Sequence, residues 1–209
     1  MIHLRVTRSN VGPGDLAAAV NALHLGGVVA FPTETFYGLA VDPRSASAVK
    51  RIFELKGRAA DQPLPLIASG VDQVEEHVGT MTPLAARLAS RGWPGPLTLI
   101  IPASPDLCDD VHLSTRRVAV RVSGDAVARG LARSAGHAIT STSANISGDP
   151  PAATPERVVA SFGSGIDVLI DAGATPAGLP STIVDATGAV PVLVRAGAIP
   201  WERVLEFSK

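Results

Sequence analysis

The sequence predicts a single α/β domain built on a twisted, mixed parallel/antiparallel sheet with flanking helices, and three observations carry that prediction. The chain's 209 residues suffice for one sizeable domain, 1–209, and demand no second. Short apolar runs of strand character interleave with amphipathic helical patterns along the whole length. An alternating strand at the N-terminus and a hairpin near the C-terminus argue against a purely parallel, doubly wound sheet. The composition agrees: 46% hydrophobic with only 4% aromatic residues describes a core of small aliphatic side chains.

In chain order, Ile2, Leu4 and Val6 alternate with His3, Arg5 and Thr7, as in a strand with one face buried. Gly12-Pro13-Gly14 turns the chain, and Asp15 is placed to cap a helix whose inner face is Leu16, Val20 and Leu23. Gly26-Gly27 ends that helix. Val28 to Phe31 and Leu39 to Val41 read as short buried strands, and Ser45 or Ser47 caps a helix that turns Val49, Ile52 and Phe53 inward. Leu64 to Ala68 reads as a strand interrupted by Pro65, which implies an edge or a bulge. Val71 to Val78 and Thr82 to Arg91 read as helices, the second with Thr82 as cap, Pro83 in its first turn and Gly92 beyond its end. Trp93-Pro94-Gly95-Pro96 is a rigid turn that delivers the strand Leu97 to Ile101, whose apolar run implies burial on both faces.

Residues 102–115 show no period. Val118, Val120 and Val122 then alternate with Arg117, Ala119 and Arg121, so two guanidinium groups share the face opposite the valines. Asp125 caps a helix to about Ala135, Ile139 to Ser143 is a strand, and residues 143–148 form a polar turn at its end. Thr154-Pro155-Glu156 starts another helix and Asp167 to Asp171 is a strand. After the small-residue loop that ends at Ser181, Thr182 to Asp185 and Val190 to Arg195 form a hairpin, and Pro200 opens a last helix.

The formal net charge of −1 supplies no global field toward nucleic acid or membranes, so any basic surface is local. Arginine accounts for 15 of the 18 cations, and its planar fork suits carboxylates and phosphates. A single cysteine, Cys108, excludes an internal disulfide and a Cys-rich metal site. The N-terminus lacks the apolar core of a signal peptide and no run approaches a membrane span, so a cytoplasmic, soluble protein is expected.

The usual nucleotide signatures are missing, both the Walker-type loop and the G-x-G-x-x-G turn, and so is a G-x-S-x-G elbow. The five histidines have no ligand spacing. What remains is a set of polar residues at strand ends: Thr33 and Thr35, Lys56 and Arg58, Arg117 and Arg121, Ser141, Ser143 and Asn145, Ser181 and Arg195. In α/β sheets ligands settle at such ends, where loops leave donors free. Cations of this number can neutralise a polyphosphate, and hydroxyls orient it without adding charge. Structural uses stay open beside the functional ones. Arg121 in a strand can pair with an aspartate such as Asp171 or Asp185, residues 143–147 can be an ordinary Ser/Asn turn, and Trp93 and Tyr37 read as packing groups.

These residues fall into motifs: Phe31-Pro-Thr-Glu-Thr-Phe-Tyr-Gly-Leu39, Lys56-Gly-Arg58, Trp93-Pro-Gly-Pro-Leu-Thr98, Val118-Ala-Val-Arg121, Ser143-Ala-Asn145 with Ser147-Gly148, Ser181-Thr-Ile-Val184, and Arg195. In their order and spacing the chain resembles the YrdC-type threonylcarbamoyl-AMP synthases over nearly its full length, and K-x-R followed by S-x-N is that family's signature. The resemblance implies a concave, positively lined cavity in the sheet. The implied activity joins L-threonine, bicarbonate and ATP into threonylcarbamoyl-AMP and pyrophosphate, with Mg2+ accompanying ATP. A separate transferase would then pass the threonylcarbamoyl group to tRNA, and direct tRNA contact is a further expectation. By motif, Lys56, Arg58, Ser143 and Asn145 would carry the catalytic clamp on the triphosphate. Gln62, Arg117 and Arg195 complete the ATP-binding set, and Thr35, Arg121, Ser141 and Ser181 form the threonine pocket, with Arg121 holding the amino acid carboxylate. No protein metal ligand is implied.

Three positions depart from the family pattern. Ile67 or a neighbour stands where some members have a histidine, Val122-Ser123-Gly124-Asp125 follows Arg121 in place of Pro and His, and Pro151-Ala152-Ala153 replaces a serine. The chain stops soon after Arg195, which implies that the extra C-terminal domain of longer members is absent. Two other readings of the same residues are an RNA-binding module without catalysis and a carbamoyl-transfer role of the kind found in hydrogenase maturation.

Overall fold

The computed structural model describes residues 1–57 and 63–209. Its strands are β1 (Ile2–Arg5), β2 (Val29–Phe31), β3 (Gly38–Ala40), β4 (Leu66–Ala68), β5 (Leu97–Pro102), β6 (Arg117–Val122), β7 (Ile139–Thr140), β8 (Thr142–Ser143), β9 (Val168–Asp171), β10 (Thr182–Asp185) and β11 (Val192–Arg195). The helices are α1 (Ala17–His24), α2 (Ala46–Lys56), α3 (Val71–His77), α4 (Pro83–Gly92), α5 (Asp109–His112), α6 (Ala126–Ala135), α7 (Pro155–Phe162) and α8 (Trp201–Phe207). The mixed α/β class expected from the sequence is observed, but the strands divide between two sheets rather than forming one. A five-stranded sheet runs β1-β9-β2-β3-β8 and a six-stranded sheet runs β11-β10-β5-β6-β4-β7, each combining parallel and antiparallel pairs.

The division passes through the predicted strand Ile139 to Ser143. Its first half, β7, pairs with β4 in the six-stranded sheet, and its second half, β8, pairs with β3 in the five-stranded sheet. Ser141 lies at the crossover, its amide donating to the Pro65 carbonyl at 2.7 Å. The buried Thr140 hydroxyl accepts from the Val41 amide at 2.9 Å, tying the crossover to the end of β3. A polar side chain fully inside the fold thus satisfies a backbone donor that neither ladder reaches.

Side-chain alternation sends successive residues of the central strands into two apolar clusters. Ala30, Leu39, Leu66 and Leu169 enter one, shared with α2, α4 and the interior of β5. Val29, Phe31, Ala40, Ile67, Val168 and Ile170 enter the other, which is covered by α1 and α6. Both clusters draw on both sheets, so the shared cores hold the two sheets together.

Most caps follow the sequence reading. Ser45 accepts from Ala48, Thr82 from Ala85, Thr154 from Arg157, and Asp125 from Val127 and Ala128. Asp15 differs: it belongs to a 3-10 turn, Pro13–Leu16, and its carboxylate accepts from the Gly12 amide at 2.9 Å, while α1 begins later without a side-chain cap. The aperiodic stretch 102–115 holds the short helix α5. Tyr37 and Trp93 are packing groups, the first fully buried with its hydroxyl donating to the Gly173 carbonyl at 2.8 Å, the second donating from its indole to the Leu97 carbonyl at 2.6 Å.

Candidate active site

Strand register gathers one group of site residues. Arg121 on β6 lies opposite Ile67 of β4, and Ile183 on β10 lies opposite both Thr98 of β5 and Arg195 of β11. Because Leu99 pairs with Val120, the antiparallel register brings Thr98 opposite Arg121. Arg195, Ile183, Thr98, Arg121 and Ile67 therefore form one row across the six-stranded sheet, pointing to the same face. Ser181 sits just before β10 at the end of that row. Its hydroxyl is 2.8 Å from that of Thr98, and Arg195 donates to the Ser181 carbonyl at 2.8 Å and to its hydroxyl at 3.1 Å. The chain after β11 closes tightly on the same point, because a Cβ on Gly197 would come within 2.3 Å of the Pro180 carbonyl oxygen.

Arg121 is 7% exposed and meets Glu34, through Nη1, at 2.5 Å. Its partner is thus neither Asp171 nor Asp185: Asp171 is engaged by His3 and Asp185 by Arg117. The second Glu34 oxygen accepts a short hydrogen bond from the Ser123 hydroxyl. Ser123 in turn accepts from the Asp125 amide at 3.1 Å, so the start of α6 supports the arrangement. Burial pulls the Arg121 guanidinium below its ordinary pKa, opposed by the charges of Glu34 and then Asp125. Loss of surrounding water, and second the charge of Arg121, do the same to Arg195. Arg195 remains open to solvent, and its partner oxygens on Ser181 are neutral. The two cations feel each other, and Glu34 is the carboxylate in direct contact, with Arg121, so the solvent-open Arg195 guanidinium is left facing only neutral oxygens, a setting that suits an anion.

Thr35 is buried beside Glu34. Its amide donates to the Thr33 hydroxyl at 3.1 Å, and that hydroxyl also donates to the Phe36 carbonyl, which folds residues 33–36 into a tight bend. The bend leads into β3, whose Gly38 pairs with Ser143 of β8. Ser141 is on the same side, because a Cβ on Gly38 would meet its hydroxyl oxygen at 3.4 Å.

The second group hangs on Lys56, the last residue of α2. This lysine is 2% exposed, and its ammonium donates to the carbonyl of Asn145 at 2.8 Å and to that of Ser143 by a shorter bond. The Lys56 carbonyl accepts from the Ser147 amide at 3.0 Å. Within the turn the Ser143 hydroxyl donates to Asn145 Oδ1 at 2.5 Å, and Asn145 Nδ2 donates to the carbonyls of Ile146 and Asp149. Lys56, Ser143 and Asn145 are thus built into one another, with Ser143 open to solvent. The Ser/Asn turn is real, and it is braced by Lys56.

Among the residues expected at the site, Thr35, Arg121, Ser141, Ser181 and Arg195 gather with Lys56, Ser143 and Asn145 around the β3–β8 pair and the strand row. Arg117 stands apart, about 13 Å along β6 at strand spacing, exposed and paired with Asp185 at 3.1 Å. Arg58 and Gln62 lie outside the described residues. The sequence reading counts the Glu34 carboxylate among the polar groups that suggest a site but assigns no site role to Glu34, Ser123, Thr98 or Gly197. Glu34 stands between two threonines already singled out, so its position in the motif was the available signal; the others act through pairings that no local pattern displays.

Residues 21–197 match the Sua5/YciO/YrdC family model, whose description reads telomere recombination. Over 197 residues the chain is 38% identical to the threonylcarbamoyl-AMP synthase of Pyrococcus abyssi, covering 94% of this chain and 58% of that protein. Identity to the threonylcarbamoyl-AMP synthase of Bacillus subtilis is 38% over 191 residues, covering 91% of this chain and 55% of the relative. The chain therefore spans less than two thirds of the length of these relatives. The fold superimposes on the crystal structure of P. abyssi Sua5 complexed with L-threonine with a TM-score of 0.91 and 37% identity, covering 99% of this chain and 60% of that one.

Proposed function

The chain belongs to the Sua5/YciO/YrdC family, and from that premise we propose that it is an L-threonylcarbamoyladenylate synthase acting in tRNA threonylcarbamoyladenosine formation. The observation that carries this reading is the strand row that sets two guanidinium groups, Arg121 and Arg195, beside the linked hydroxyls of Ser181 and Thr98. Relatives named threonylcarbamoyl-AMP synthase and a relative crystallised with L-threonine support it.

In the proposed reaction the threonine amine and bicarbonate condense to a carbamate with loss of water. A carbamate oxygen then attacks the α-phosphorus of ATP, a new P–O bond forms, the bond to the β-phosphate oxygen breaks and pyrophosphate leaves. Alignment and charge stabilisation serve this chemistry better than a strong base, because the attacking carboxylate is already ionised. Arg121 would hold the threonine α-carboxylate, with Thr35, Ser141 and Ser181 as neutral hydrogen-bonding walls. Lys56 fixes the turn that presents Ser143 and Asn145 to the phosphates, and Arg195, open to solvent beside Ser181, would bridge the two substrates. Arg58, Gln62 and Arg117 complete the proposed nucleotide contacts.

Among the described residues no three or more His, Cys, Asp or Glu side chains gather as a metal cage. Mg2+ is proposed to accompany ATP on its phosphates, with no protein ligand assigned to it. When bound it would screen charge on the leaving pyrophosphate. A separate transferase is the proposed consumer of the adenylate, and direct tRNA contact is a further part of the proposal. Among the described residues no helix is long and apolar enough to cross a membrane, and the cytoplasm is the proposed compartment. The test is pyrophosphate release and product mass with ATP, L-threonine and bicarbonate. All three should be required together; release independent of threonine or of bicarbonate would overturn the proposal.

A further inference from the structure

We infer that Glu34 is a resident competitor for Arg121 that sets how tightly the site holds its substrate's carboxylate, an inference that rests on the reading of Arg121 as the carboxylate's partner. Glu34 is held at both oxygens, by Arg121 Nη1 at 2.5 Å and by the Ser123 hydroxyl. Ser123 is itself fixed, accepting from the Asp125 amide through its hydroxyl and from Arg129 through its carbonyl. Glu34 is therefore a built element of the site, half-buried, with its charge delivered to the guanidinium that an incoming carboxylate needs.

An α-carboxylate that engages Arg121 meets the Glu34 carboxylate at the same guanidinium. Two like charges within a few ångströms in a partly buried setting repel strongly, so each weakens the other's hold. Asp125, whose charge also reaches Arg121, adds to the repulsion. Glu34 offsets the cost of burying Arg121 and at the same time lowers the affinity for the substrate. The reaction gives this a use. Adenylation takes place on the carbamate, so the α-carboxylate survives unchanged in the product, and the contact that captures threonine also retains the adenylate. A tethered carboxylate that reclaims Arg121 favours release of the product.

Glu34→Gln keeps the size of the side chain and removes its charge. The expected result is L-threonine binding about tenfold tighter by calorimetry, a threonine KM lowered by a similar factor and a reduced kcat as product release slows. Binding of L-threoninamide, which lacks the carboxylate, should not change, and a merely structural role would not separate the two ligands. Ser123→Ala, which frees one Glu34 oxygen, should shift threonine binding in the same direction by about threefold and gives the same sign test should Glu34→Gln not fold. Threonine binding unchanged or weaker in these variants, while Arg121→Ala loses it, would overturn the inference and leave the Arg121 reading standing. Unaltered threonine binding in Arg121→Ala would overturn both.

Discussion

Replacing Lys56 by methionine keeps most of the side chain's volume and removes its ammonium, which isolates what that charge does. The ammonium donates to the carbonyls of Ser143 and Asn145 from a residue only 2% exposed. Charge-assisted hydrogen bonds contribute about 1.5–3 kcal/mol each, so two sum to roughly 3–6 kcal/mol. Part of this is returned, because the buried ammonium's own desolvation cost disappears with it and because the Ser143 carbonyl still accepts from the Asn145 amide at 3.0 Å. A net loss of about 2–4 kcal/mol remains, a large fraction of the 5–15 kcal/mol typical of a domain. Urea unfolding followed by the fluorescence of Trp93 and Trp201 should show a midpoint lowered by about 1 M, taking a slope of roughly 2–3 kcal/mol/M. In native buffer the loosened turn should raise the KM for ATP in the pyrophosphate assay. An unchanged midpoint together with an unchanged ATP KM would refute the brace, and an unchanged midpoint with lost activity would show that the ammonium serves the nucleotide and not the turn.

Arg121→Ala should raise the threonine KM by about 100-fold, the order expected for removing one partner of a charged pair, while the ATP KM stays within twofold; equal effects on both substrates would place Arg121 elsewhere. Gly197→Ala should destabilise by about 1–3 kcal/mol through overpacking, since the new methyl meets backbone atoms of Pro180, Ser181 and Thr182 at 2.3–2.5 Å. A normal thermal midpoint in that variant would show that the chain closes on Ser181 less tightly than described. His137 should make the protein acid-sensitive. Burial depresses its pKa from the ordinary 6.5, only partly opposed by its bond to the Ala138 carbonyl and by Asp42. The unfolded chain therefore takes up the proton first, so the stabilisation is complete above about pH 6.5 and is lost as pH falls through the depressed folded value. Urea midpoints compared at pH 7 and pH 5 should fall for the wild type and fall less for His137→Asn; parallel declines would assign the acid sensitivity to another group.

The sequence by itself determined the elements and the chemistry. Period-two valines from Val118 to Val122, the caps at Ser45, Thr82, Asp125 and Thr154, and the hairpin before Arg195 are local signals, set by residues within one turn or one strand of each other. For the same reason the motifs that carry hydroxyls and cations, Thr35, Lys56, Arg121, Ser143, Asn145, Ser181 and Arg195, were legible as candidate site residues before any contact was known. What the sequence did not contain was which elements meet. The apolar content of Ile139 to Ser143 describes a strand equally well in one sheet or two, and only the pairing of β7 with β4 and of β8 with β3 splits it. Arg121 had aspartates to choose from, and strand register together with the bend at Thr33 gave it Glu34, 87 residues away in sequence. Lys56 read as part of a triphosphate clamp, and only the fold shows that its ammonium also braces the turn after β8, because α2 ends directly against that turn. Local patterns fix what each residue can offer, and long-range pairing decides to whom it is offered.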